Sequence, residues 1–122
     1  MRSPIIPLLP LFCLAALPAG AMTLKSTDIR EGEPMDKVFS FNGFGCSGEN
    51  RSPQLSWQSL PAGTQSVAIT AYDPDAPTGS GWWHWLVVNL PASQSELPSN
   101  ASGKLKQGLE LGTDYGTQIG RA

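Results

Sequence analysis

The 122-residue chain has one histidine, two cysteines and eight basic side chains, set against ten acidic ones for a formal charge of −2. One histidine and scattered thiols and acids are too few for a convergent zinc cluster, so no metal or other cofactor is expected. A lone imidazole supports at most one acid–base pair, and no Gly-x-Ser-x-Gly stretch marks a nucleophile elbow beside it. The basic residues form no arginine–lysine cluster. This argues against an extended nucleic-acid or anionic-membrane surface, because such side chains make most phosphate contacts. No glycine-rich loop leads into a lysine, as a nucleotide phosphate site would require. Internal repeats, heptads and a long amphipathic helix are also missing, and with 15% charged residues the chain reads as one small domain at most.

The longest apolar run opens the chain. In MRSPIIPLLPLFCLAALPAGAMT, Arg2 precedes apolar residues from Ile5 to Leu17, and small residues stand at Ala19 and Ala21. This pattern predicts an export signal, residues 1–21, cleaved after Ala21, and hence a periplasmic or secreted protein. The run is short for a bilayer span and is interrupted by Pro7, Pro10 and Pro18, so stable membrane insertion is not expected. Cys13 follows Leu11 and Phe12, where a lipoprotein signal has small residues. Residues 22–122 then form the domain; without Arg2 and Cys13 they carry seven basic residues, ten acidic ones and a single thiol, Cys46. In an oxidising compartment an odd thiol is either a buried small hydrophobe or one whose partner lies on another chain or a missing segment.

Short strands divided by turns are predicted for the rest. Val38 and Phe39 form a strand-like run, and Asn42-Gly43 is a turn signal. Leu55 and Trp57 alternate with polar neighbours. QSVAITAYD is the clearest strand, apolar on both sides, and therefore expected in a sheet interior. In WWHWLVVNL, period two puts His84, Leu86, Val88 and Leu90 on one face and Trp83, Trp85, Val87 and Asn89 on the other. The nine residues DPDAPTGSG between them favour turns, with the two strands as antiparallel neighbours. Lys104 to Leu111 fits a strand or a helical turn.

Chemistry concentrates around that loop. Asp73 ends one strand and His84 lies near the start of the next, so a connection returning to the same sheet end brings them together. Two readings follow. In one, the pair lines a ligand pocket, Asp73 fixing the imidazole tautomer or a protonated His84 holding an anion. In the other, Asp73 caps backbone N–H groups in an Asx turn and His84 is a satisfied core residue. Asp75 suits a turn acceptor, and Pro74 and Pro77 stiffen the loop. Trp82 suits a pocket wall, and Trp83 and Trp85 suit core packing against a second layer.

Four stretches carry a resemblance: SPQLSW at Ser52–Trp57, PAGTQS at Pro61–Ser66, AYDPDAPTGSGWWHWLVVNLPA at Ala71–Ala92 and TDYGT at Thr113–Thr117. Together they are similar to the phosphatidylethanolamine-binding protein family, especially its exported bacterial branch, called Raf kinase inhibitor-like. The resemblance implies a mainly β fold built on an antiparallel sheet with peripheral helices in the full form. It implies a small anion pocket in which Asp73 is the acid, Trp82 the aromatic wall and His84 the inner histidine, with Asp75 organising the loop. The ligand implied is a small phosphate- or carboxylate-bearing molecule, with a kinase or protease as a possible protein target. After Thr117 the family continues through a proline-rich turn, a second histidine and further strands, whereas GTQIGRA does not. The closing C-terminal elements are therefore expected to be missing, and the cysteine of that turn is the implied partner for Cys46. The function expected is non-enzymatic binding of an anion or phospholipid head group, with a regulatory or inhibitor role. A hydrolase using the Asp73–His84 pair, or a fragment without a competent site, are the alternatives.

Overall fold

A computed structural model describes residues 20–114, and the expected signal segment up to residue 19 and the last part of TDYGT lie outside them. The chain is mainly β, with its strands arranged in antiparallel sheets. One sheet contains β1 (Thr23–Lys25), β4 (Leu55–Gln58) and β7 (Glu96–Leu97) in the order β1-β4-β7. A second contains β5 (Ser66–Asp73), β6 (Trp82–Pro91) and β8 (Leu109–Glu110) in the order β5-β6-β8. A small hairpin, β2 (Asn42–Gly43) with β3 (Cys46–Ser47), stands apart from both.

The alternation of Leu55 and Trp57 with polar neighbours produces a strand whose two apolar residues point into the core. They meet Leu97 of β7 and Trp85, Val87 and Leu90 of β6, while Val67, Ile69 and Ala71 of β5 pack against this cluster. Val87 and Leu90 are wholly withdrawn from water, each contributing about 1.5–3 kcal/mol by burial. Trp85 is buried too, and its indole N–H donates to Glu110 Oε1 at 2.9 Å while Gly103 N–H donates to the other carboxylate oxygen. The apolar ring is thereby placed in the core without stranding its polar edge.

The expected pairing of the two long strands is present, but two register shifts break the period of β6. Ala71 pairs with Trp85 and Tyr72 with Trp83, so His84 is an extra residue bulged out of the ladder. A second extra residue lies between the pairs Ile69–Val87 and Val67–Leu90, where Asn89 takes a left-handed φ of 58°. The strict alternation expected for WWHWLVVNL therefore fails: Trp85, Val87 and Leu90 share the buried side, although Leu90 was expected opposite the other two. Trp83 does not join the core as expected. It is 39% exposed and stacks on Tyr72 with ring centroids 4.5 Å apart.

Three further local expectations change. β5 is an edge strand among the described residues, and the sheet interior belongs to β6. Side-chain alternation reports which faces are covered, not which backbone edges have partners. Val38 and Phe39 lie in a short 3₁₀ turn, Lys37–Phe39, because Asp36 caps it by accepting from the Val38 N–H. Asn42-Gly43 is itself paired, and the hairpin reverses one step later through Phe44 and Gly45, both with positive φ as a primed turn requires. Cys46 on this hairpin is a free, exposed thiol, which removes the reading of it as a buried hydrophobe.

Candidate functional site

The loop from Asp73 to Gly81 is built by side chains of its own sequence. Asp73 ends β5 half-buried, and its Oδ1 accepts the Asp75 N–H at 2.9 Å in an Asx turn. The other Asp73 oxygen makes no hydrogen bond among the described residues. Asp75 is exposed and contributes its amide to this turn, so the capping carboxylate is that of Asp73. Pro74 and Pro77 flank the turn, and both follow trans peptide bonds. Thr78 then closes the loop: its N–H donates to Ala76 O at 2.7 Å and its hydroxyl to Gly81 O at 2.6 Å.

Tyr72 ties the far side, its hydroxyl donating to Ser80 O at 2.6 Å. Gly81 is buried with a φ of 74°, and any Cβ there would overlap the Tyr72 hydroxyl and approach Asp73 O at 2.8 Å. Only glycine satisfies both the backbone angle and the close approach. Tyr72, Thr78 and Gly81 thus set the loop's shape, although their residue types carry no separate signal in the sequence.

The loop delivers the chain to Trp82 directly opposite Asp73 in the β5–β6 register. Trp82 is half-buried, with its indole nitrogen shielded from solvent. His84, two residues on, is half-buried at the bulge. The fold therefore brings the segments carrying Asp73, Trp82 and His84 to one end of one sheet, around a hydrogen-bonded loop. Asp114, not singled out in the sequence, joins this end: its Oδ2 accepts the Trp83 N–H at 2.7 Å. The TDYGT stretch was the available signal, since it carried part of the family resemblance.

No group of three or more His, Cys, Asp or Glu side chains among the described residues is arranged to hold a metal ion. No helix among them is long and apolar enough to cross a membrane.

A small all-antiparallel architecture with a shaped acid–aromatic–histidine end to its main sheet has relatives. The family model for phosphatidylethanolamine-binding protein matches residues 25–120. YbcL of Escherichia coli K12 is 44% identical over 116 residues, covering 95% of this chain and 63% of the relative. YbhB of the same organism is 50% identical over 99 residues, covering 78% of this chain and 63% of the relative. The crystal structure of E. coli YbcL, described as a member of the mammalian PEBP family, superposes with a TM-score of 0.78 over 83% of this chain and 65% of that one. A Chlamydia trachomatis homologue superposes with a TM-score of 0.68 at 29% identity, covering 84% of this chain and 63% of its own. The chain belongs to the phosphatidylethanolamine-binding protein family. It spans less than two thirds of the length of these relatives.

Proposed function

We propose that this protein binds a small phosphate- or carboxylate-bearing ligand, such as a phospholipid head group, at the Asp73–Trp82–His84 end of β6, and acts without covalent chemistry. The single observation that carries this reading is the bulge. It takes His84 out of the ladder two residues from Trp82, which itself faces Asp73 across the strands. The bulge sets His84 at the end of the sheet that Asp73 and Trp82 share, and an imidazole N–H there suits the anionic part of a ligand. The indole lowers the local polarity and strengthens that hydrogen bond.

An acid in an anion site is chemically consistent. A singly protonated phosphate has a hydroxyl to donate, and an ethanolamine head group has an ammonium; the Asp73 oxygen not used in the turn can accept either. His84 then serves the anionic half of the ligand and Asp73 its donor half, which favours phosphoethanolamine over a simple inorganic anion. The hydrolase alternative lacks a supporting observation: Asp73 Oδ1 is committed to the Asp75 amide, and among the described residues no acidic, histidine or thiol cluster could hold a metal to activate water. The N-terminal pattern supports export to the periplasm as the setting, and the regulatory or inhibitor role would be exercised there on a protein target.

The test is titration of folded full-length protein with phosphate and phosphoethanolamine, followed by tryptophan fluorescence. A saturable response is expected, tighter for phosphoethanolamine. His84→Ala should weaken it by roughly tenfold, the loss of one charge-assisted hydrogen bond. A folded protein that gives no saturable response, or a His84→Ala variant indistinguishable from wild type, sinks the assignment.

A further inference from the structure

We infer that the apolar cavity between the two sheets takes a hydrocarbon tail carried by the ligand, so that the ligand class is an amphipathic phosphate, head and tail together; this rests on reading the Asp73–Trp82–His84 end of β6 as the anion site. The cavity holds about 210 Å³ and is walled by Ile69 and Ala71 of β5, Trp85 of β6 and Leu55 of β4. Leu24 and Met35, both exposed, complete the wall and mark where it meets solvent. Leu24 faces Trp57 in the β1–β4 register and so belongs to the inner side of its sheet, yet it is 64% exposed. A core closed on itself would cover both residues, since interiors pack to crystal density and seldom keep voids much larger than a water. A preformed apolar recess of this kind suits hydrocarbon: about 150 Å³ is enough for a benzene-sized molecule.

Strand register joins this recess to the head-group end. Side chains two apart on a strand share a face, so Ile69, Ala71 and Asp73 follow one another along the inner side of β5, about 6.5–7 Å per step. Across from them Trp85 pairs with Ala71 and Trp82 with Asp73, and directly opposed residues also share a face. The extra residue at His84 makes this possible. Trp82 and Trp85 are three apart, and strict alternation would put them on opposite faces; the bulge returns both to the inner one. Acid and half-buried indole therefore give way, along one face, first to Ala71 and then to Ile69 and the cavity. Ala71 stands at the junction, where a longer side chain would close the step.

The test compares methyl phosphate, hexyl phosphate and hexanol on full-length protein, by titration and by proton–carbon spectra of the methyl groups. Hexyl phosphate should bind roughly thirtyfold more tightly than methyl phosphate, the transfer gain of the added methylenes reduced by about half for ordering the chain. Hexyl phosphate and hexanol should shift the Ile69 and Leu55 methyl resonances, and methyl phosphate should leave them in place. Ala71→Leu, which fills the junction, should bring the hexyl-to-methyl affinity ratio down to within about threefold of unity. If that variant does not fold, Met35→Ala at its exposed position takes its place, and loss of one wall should lower the ratio about threefold. Equal affinities for the two phosphates in wild type would overturn the inference, as would Ile69 and Leu55 methyls unmoved by hexyl phosphate or a ratio that neither substitution changes. Failure of both phosphates to bind wild type refutes the anion-site reading instead, and hexanol, which carries no charge, still judges the cavity: no shift at Ile69 and Leu55 refutes it.

Discussion

At its C-terminal end β6 is held by burial, with Val87 and Leu90 fully withdrawn from water against Leu55, Trp57 and Leu97. At its N-terminal end, Trp82–His84, it is held by directed contacts: the Asp114 carboxylate on the Trp83 amide, the Tyr72–Trp83 stack and the loop bonds of Thr78 and Tyr72. Apolar burial is strong but tolerant of angle, whereas hydrogen bonds are individually weak and fix direction. One strand thus divides the work: stability is concentrated at one end and geometry at the other. A binding site needs the second kind of restraint, because a ligand's polar atoms must be met at set positions.

Three substitutions test this division. Leu90→Ala has the largest expected effect on stability, about 2–5 kcal/mol in urea unfolding, since it opens a cavity in the core. Its folded fraction should keep wild-type phosphoethanolamine affinity within about twofold, because the two ends are distant enough to act independently. Gly81→Ala comes next. A Cβ forced against the Tyr72 hydroxyl at a positive φ should cost about 1–3 kcal/mol in the same assay, and it should also impair ligand binding. Tyr72→Phe should be smallest, about 0.5–1.5 kcal/mol for one hydrogen bond, with faster amide hydrogen exchange confined to the loop around Ser80 and Gly81. A Leu90→Ala variant that lost affinity while folded, or a Tyr72→Phe variant with accelerated exchange at Val87, would show that the two ends are not separate.

The sequence is most informative where the side-chain pattern and the backbone agree. Leu55 and Trp57 alternate and become a strand with both residues buried, and QSVAITAYD and WWHWLVVNL become the long antiparallel pair of the second sheet. The pattern misleads where an extra residue enters. The two bulges of β6 are invisible to period-two counting: the one at His84 reassigns Trp83 from core to surface, and the one beside Asn89 moves Leu90 to the side of Val87. Asp73, Trp82 and His84 could be singled out because acids, an indole and the only histidine are crowded into one short stretch. Gly81 and Tyr72 could not, since their importance lies in one mutual approach that exists only once the loop has folded. Asp114 is remote in the sequence and is brought in by strand register, which local residue patterns do not encode.

The bulge at His84 also affects how such chains can diverge. Within the regularly paired stretch of β6 from Trp85 to Val87, inserting or deleting a single residue would invert every side chain beyond it and turn the core outward. At the bulge the strand already carries one residue more than its neighbour β5. A lineage could lose a residue at that position and still keep its interior facing inward, so a one-residue gap between Trp82 and Trp85 in a distant homologue would mark a changed ligand end rather than a changed fold.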